Sequence, residues 1–230
     1  MMTRRMFRSF SLALAALMFL ATFHQTALAG PPLLCHPFEI DGAQSLPFGS
    51  GSWRATRSDY DINRLADDTV ALLGADVPVI VRMETLRRAT IYAAKDRNIA
   101  AQLHKRLRLR AKQATGAEAT LALFDLGYFK ETYKQISVIL EKGTTPEELE
   151  DSKLDGYSRV LKAIEMRGGD ADMEFAAALI ASHPRRDSMR EHLRKAVAGA
   201  NEGTLLARNL VKHFSDMGRT IGDLRASLKH

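Results

Sequence analysis

The chain of 230 residues has one cysteine and seven prolines, and each shortage excludes something. A single thiol permits no internal disulfide, so the fold must rest on a packed core. No Cys-x-x-Cys, His-Glu-x-x-His or Cys-x-x-Cys-His occurs, which removes the usual zinc and covalent-haem signatures. No metal ligand set and no cofactor is therefore expected. No run of period-two alternation argues for a sheet, so no glycine-rich phosphate loop follows a strand. No serine stands in Gly-x-Ser-x-Gly. Strong charge of one sign is also missing. The formal charge is +6, and Arg4, Arg5 and Arg8 at the extreme N-terminus supply half of it. The remaining excess is no footprint for nucleic acid.

Those three arginines introduce a leader. Ser11 to Phe23 is an apolar core shorter than the roughly 20 residues of a membrane span. Ala27-Leu28-Ala29 offers the small-x-small pattern of a cleavage site. The reading is a signal peptide over residues 1–29, cut after Ala29, with the product periplasmic or secreted. Thr3 to Phe7 resembles a twin-arginine signal, but Arg8 and the leucine-rich core favour the general secretory route. Leu34 before Cys35 is too large for lipid attachment there.

Four prolines fall between Pro31 and Pro47, and Phe48 to Ser52 reads FGSGS. Proline fixes φ and removes a donor, so residues 30–60 are expected to form an extended arm. After it helical periodicity takes over. Val79, Met83, Leu86, Ala89 and Ala93 share one helical face behind Pro78. Ala100, Leu103, Leu107, Ala111 and Ala114 form a second, and Phe129, Tyr133, Ile136 and Leu140 a third. Thr145-Pro146-Glu147-Glu148 reads as a capping box. Gly168-Gly169-Asp170 stops one helix and caps the next, and His183-Pro184 is a further stop. Asp187 and Asn201 are candidate caps, with Gly199 a break between helices. The predicted fold is all-α: about eight helices in antiparallel hairpins, stacked as a short tetratricopeptide-like α-solenoid over residues 61–215, with 216–230 a tail or short helix. Ala122 to Ile136, ALFDLGYFKETYKQI, looks like the middle of a tetratricopeptide repeat, with a Gly127-Tyr128 turn joining two helices. The next such turn, at Gly168, lies farther along than the usual repeat of about 34 residues.

GPPLLCHPFEI at Gly30 to Ile40, METLRRATIYAA at Met83 to Ala94 and RGGDADMEFAAALI at Arg167 to Ile180 resemble an uncharacterised family of exported bacterial proteins with tetratricopeptide-like helices. The resemblance implies export and helical architecture. It implies no activity, and no catalytic or binding residue carries over.

Two features remain as candidate sites. In the arm, Leu33, Leu34, Phe38 and Ile40 are apolar within a stiff strip. The expectation is that they dock along a groove of the helical body, with Cys35 as a small buried hydrophobe. The rival reading is an enzyme or soft-metal site, with Cys35 as nucleophile or ligand and a histidine as partner. His36 is poorly placed for that, because neighbours in an extended chain point to opposite sides. The base would have to come from His104, His183, His192 or His213.

The second feature is a basic zone from Arg82 to Lys112, with ten Lys or Arg against Glu84 and Asp96. On a helical wheel Lys105, Arg108 and Lys112 lie opposite the Leu103, Leu107, Ala111 face, and Leu109 falls among them. A solvated face is the plain account. The functional one is a surface for an acidic protein or peptide, or, with less support, for the membrane. The leading expectation is thus an exported, noncatalytic helical module that binds a protein or peptide.

Overall fold

The computed structural model describes residues 33–139, 155–182 and 186–229. The leader, Leu140, the Thr145 capping box and the His183-Pro184 stop lie outside the described residues. The protein is all-helical, without strand among the described residues. After a 3₁₀ turn at Ile62–Arg64 come α1 (Leu65–Ala71), α2 (Val79–Ala93), α3 (Arg97–Gln113), α4 (Gly116–Ile139), α5 (Gly156–Met166), α6 (Ala171–Ala181), α7 (Arg186–Gly199), α8 (Leu205–His213) and α9 (Ile221–Ser227). No helix of the described residues is long and apolar enough to cross a membrane.

Helix starts follow from side-chain caps, which satisfy first-turn N–H groups that have no partner within the helix. Asp96 accepts from Asn98 N, Asp155 from Ser158 N and Asp170 from Met173 N. Thr204 caps α8, and Thr220 with Asp223 forms a capping box on α9. Asn201, expected as a cap, instead gives its carbonyl to the Thr204 hydroxyl at 2.7 Å. Asp187 lies inside the first turn of α7 rather than before it. After α5 the chain turns through Gly168 and Gly169 at φ +70° and +103°, backbone that suits glycine.

One expectation fails in an informative way. Gly127-Tyr128 is not a turn but the middle of α4, a continuous helix of 24 residues. The glycine serves a crossing instead. A Cβ at Gly127 would sit 2.6 Å from the Gly156 carbonyl oxygen, and one at Gly156 would sit 2.5 Å from that of Gly127. The two helices therefore touch backbone to backbone. Tyr157 N, at the start of α5, donates to Glu131 of α4 at 3.1 Å.

α2 and α6 lie at the centre. Every α2 side chain except that of Arg88 is buried, as is α6 from Met173 to Ala181. α2 packs on α1, α3, α4 and α6, while α6 packs on α5, α7, α4 and α8. Residues 33–61 carry no helix and lie over this body. Leu33, Leu34, Phe38 and Leu46 join the core. Each such burial contributes about 1.5–3 kcal/mol as an upper estimate.

Candidate functional site

The arm is held by ionic side chains of α2. Glu84 sits at the centre and is fully buried. Its Oε2 accepts from Phe38 N at 3.0 Å and Arg87 Nε at 2.7 Å, and its Oε1 from Arg87 Nη2 at 2.9 Å and Arg88 Nε at 2.7 Å. Four bonds fill a carboxylate's capacity. Arg87 then donates through Nη1 to the Leu34 and Trp53 carbonyls, at 2.9 and 3.3 Å. Arg88 Nη1 reaches the Leu46 carbonyl at 2.7 Å. Tyr92 donates to Pro47 O and accepts from Arg57 N.

Other helices complete the hold. Gln135 of α4 accepts from Leu33 N. Asn209 of α8 brackets Glu39, accepting from its N–H at 2.9 Å and donating to its carbonyl at 3.0 Å. His213 stacks on Phe38 with ring centres 4.6 Å apart. Its two ring nitrogens face the Asn209 carbonyl at 2.9 Å and the His36 carbonyl at 3.2 Å. Burial, as the main cause, lowers its pKa to about 4.

Within the arm, Leu33, Leu34 and Phe38 are buried, whereas Ile40 is only half-buried. Cys35 departs from the expected buried position. The turn at 33–36 sends Leu33 and Leu34 inward and leaves Cys35 half-buried, lining a cavity with the loop Phe48 to Trp53. Burial raises the thiol's pKa, while Arg54 and Arg87 pull it down. Of the histidines proposed as its base, His104, His192 and His213 do not line that cavity and His183 lies outside the described residues; the cavity's one carboxylate, Glu84, is saturated. Among the described residues no group of three or more His, Cys, Asp or Glu could hold a metal ion.

The basic zone divides by burial. Arg82 and Arg87 are buried, and Arg110 is nearly so. Arg82 Nη1 and Arg110 Nη1 converge on Asp125 Oδ2 at 2.7 and 2.6 Å. Their other nitrogens bond the Gly74, Val77 and Leu73 carbonyls. Burial pushes the Asp125 carboxyl up to about 6, against the pull of Arg82 and Arg110. It therefore still carries its charge at neutral pH. On α3, Arg106 pairs with Asp67 at 2.6 Å, and Arg110 also reaches Glu118. Lys105 and Lys112 are exposed, and Leu109 between them is 39% exposed. Arg108, expected on the same open face, is half-buried instead. It stands near Arg159, whose pKa is lowered chiefly by burial and also by the Arg108 charge.

A third constellation escapes the sequence reading. Tyr157 of α5, His192 of α7 and Glu174 of α6 are all buried. The Tyr157 hydroxyl lies 2.7 Å from His192 Nε2, and His192 Nδ1 lies 2.5 Å from Glu174 Oε2. With the Glu174 carboxylate accepting, His192 donates from Nδ1, which leaves Nε2 facing the Tyr157 hydroxyl. Lys195 stands 3.7 Å from the other Glu174 oxygen. This is the order of groups that activates a hydroxyl, but the phenol is enclosed among three helices. The visible signal was Glu174 itself, a carboxylate inside the apolar stretch Met173 to Ile180.

No family model, curated protein or solved structure matches the chain.

Proposed function

We propose that the chain is an exported, noncatalytic helical-repeat protein of the cell envelope that binds an acidic protein or peptide on α3. The observation that carries this reading is the division of cations along that helix. Arg106 and Arg110 have carboxylate partners. Lys105 and Lys112 make no ion pair among the described residues, and exposed Leu109 stands between them. Unpaired ammonium groups around an exposed leucine suit an acidic segment that brings one apolar side chain. Contacts of α2 with α4, α4 with α6 and α6 with α8 support hairpins stacked in series. The saturated Glu84 supports a noncatalytic Cys35, because the nearby carboxylate is not free to act as a base. Residues 1–29 support export.

The test begins with the exported protein, whose N-terminal sequence should start at Gly30. Wild type and Lys105→Glu/Lys112→Glu are then compared in pull-downs from envelope extract, at low and high salt, with melting curves alongside. A partner retained by wild type should be released by salt, since screening acts over roughly 8 Å at physiological ionic strength. It should also be lost from the variant. Equal retention would reduce α3 to a solvated face. Capture by anionic vesicles with no retained protein would make the membrane surface the partner.

A further inference from the structure

The cavity beside Cys35 is open to solvent on one side and has a volume of about 520 Å³, within the size range of small-molecule sites. Phe48 and Trp53 supply aromatic walls, and Glu84, Arg87 and Arg88 supply charge. One carboxylate against two guanidinium groups leaves a net positive charge. Arg54 adds to it: its guanidinium lies 4.4 Å above the Trp53 ring, and its charge acts on Cys35.

The donors are not equally available. Arg87 uses Nε, Nη1 and Nη2 on Glu84 and two carbonyls. Arg88 uses Nε and Nη1, and its Nη2 makes no hydrogen bond among the described residues. The Arg88 side chain is 22% exposed, so solvent reaches it. Both guanidinium carbons lie near the Phe48 ring, at 5.2 and 5.6 Å from its centre.

We propose that this cavity binds a small organic carboxylate with an aromatic or apolar body. The carboxylate takes the open Nη2 edge of Arg88, and the body lies between Phe48 and Trp53. Net positive charge disfavours a cation. A metal would find the Cys35 thiol but no free carboxylate or imidazole, because both Glu84 oxygens are saturated and no histidine lines the cavity among the described residues. A phosphate dianion would find the Ser50 and Ser52 hydroxyls that also line the cavity, but it would leave the aromatic walls without contact. This site is separate from the α3 surface, and its failure would leave that reading untouched.

The test uses benzoate as probe, benzamide as its neutral counterpart and inorganic phosphate as the compact anion. The chain's only tryptophan and only cysteine both line the cavity. Trp53 fluorescence therefore reads occupancy, and iodoacetamide alkylation of Cys35 reads protection. Benzoate should give a saturable fluorescence change at about 1 mM, the affinity range of so small a ligand. It should slow alkylation in parallel. Benzamide and phosphate should bind about tenfold more weakly. Arg88→Met should abolish the benzoate response. Because that change also frees the Leu46 carbonyl, Arg54→Ala serves as a second variant. Arg54 is exposed, so its loss should weaken benzoate by about threefold and leave the fold intact. No saturable response in wild type would overturn the proposal. So would benzamide or phosphate equal to benzoate, or benzoate binding unchanged in both variants.

Discussion

α2 and α6 are both buried nearly all round, yet they are built from opposite materials. α2 carries Arg82, Glu84 and Arg87 in its interior, whereas α6 runs from Phe175 to Ala181 without a charged side chain. The difference follows from what surrounds each helix. α6 is enclosed mainly by helices, whose backbone groups are satisfied internally, and small alanines let them close in. α2 also packs on helices, but non-helical chain covers part of it. The Leu34, Leu46, Trp53, Gly74 and Val77 carbonyls and the Phe38 N–H have no ladder of their own. All six bond to side chains of α2. Buried loops need such partners, because an unpaired backbone group away from water is costly. On α2 buried charge marks where a helix meets irregular chain, whereas the one buried carboxylate of α6, Glu174, pairs with His192 of a neighbouring helix.

The strongest way to break this contrast is Glu84→Ala. It leaves Arg87 buried without its counter-charge and removes the acceptor for Phe38 N. Breaking a buried pair from one side costs about 3–5 kcal/mol, read as a lower urea midpoint. The arm should loosen first, with residues 33–60 losing amide protection before the helices do. Uniform loss of protection would mean that Glu84 supports the core generally rather than the arm.

Ala178→Leu tests the other helix. Ala178 has no exposed surface, and adding volume to a filled site costs about 1–3 kcal/mol. Amide protection in the arm should stay as in wild type while α5, α6 and α7 weaken. A variant as stable as wild type would show that α6 is loosely packed and that the contrast with α2 is false.

The same physics explains what the sequence revealed. Faces such as Val79, Met83 and Leu86 were legible because they repeat at helical spacing, and Gly168-Gly169-Asp170 because a stop and a cap are local. Gly127 was misread as a turn because its reason lies in Gly156, on another helix. The basic zone was read as one block because a charge count does not see burial. α2 is enclosed on every side, so it has no polar face to set Arg82 and Arg87 apart from Lys105 and Lys112. Tyr157, Glu174 and His192 meet only through packing, and no spacing announces them. A carboxylate within or at the edge of an apolar run was the available clue, for Asp125 and for Glu174.

The smallest expected effect sharpens the contrast at the arm's third anchor, α8. The unfolded chain protonates His213 near 6.5, whereas burial holds the folded ring to about 4. Between those values the unfolded state binds more protons. The contribution of His213 is therefore complete above about pH 6.5 and is lost as pH falls through about 4. His36 and Lys212 add repulsion in the same direction. Asp125 and Asp172, both raised to about 6 mainly by burial, act oppositely. The folded state binds their protons more readily, so they favour folding as pH drops through about 6. The wild-type profile therefore mixes opposing contributions, and the informative quantity is its difference from His213→Gln. That difference should shrink between about pH 7 and pH 4. The ring keeps partial solvent access, so the change should be on the order of 1 kcal/mol. A constant difference would mean that His213 does not titrate in this window and holds the arm by its Phe38 stack alone.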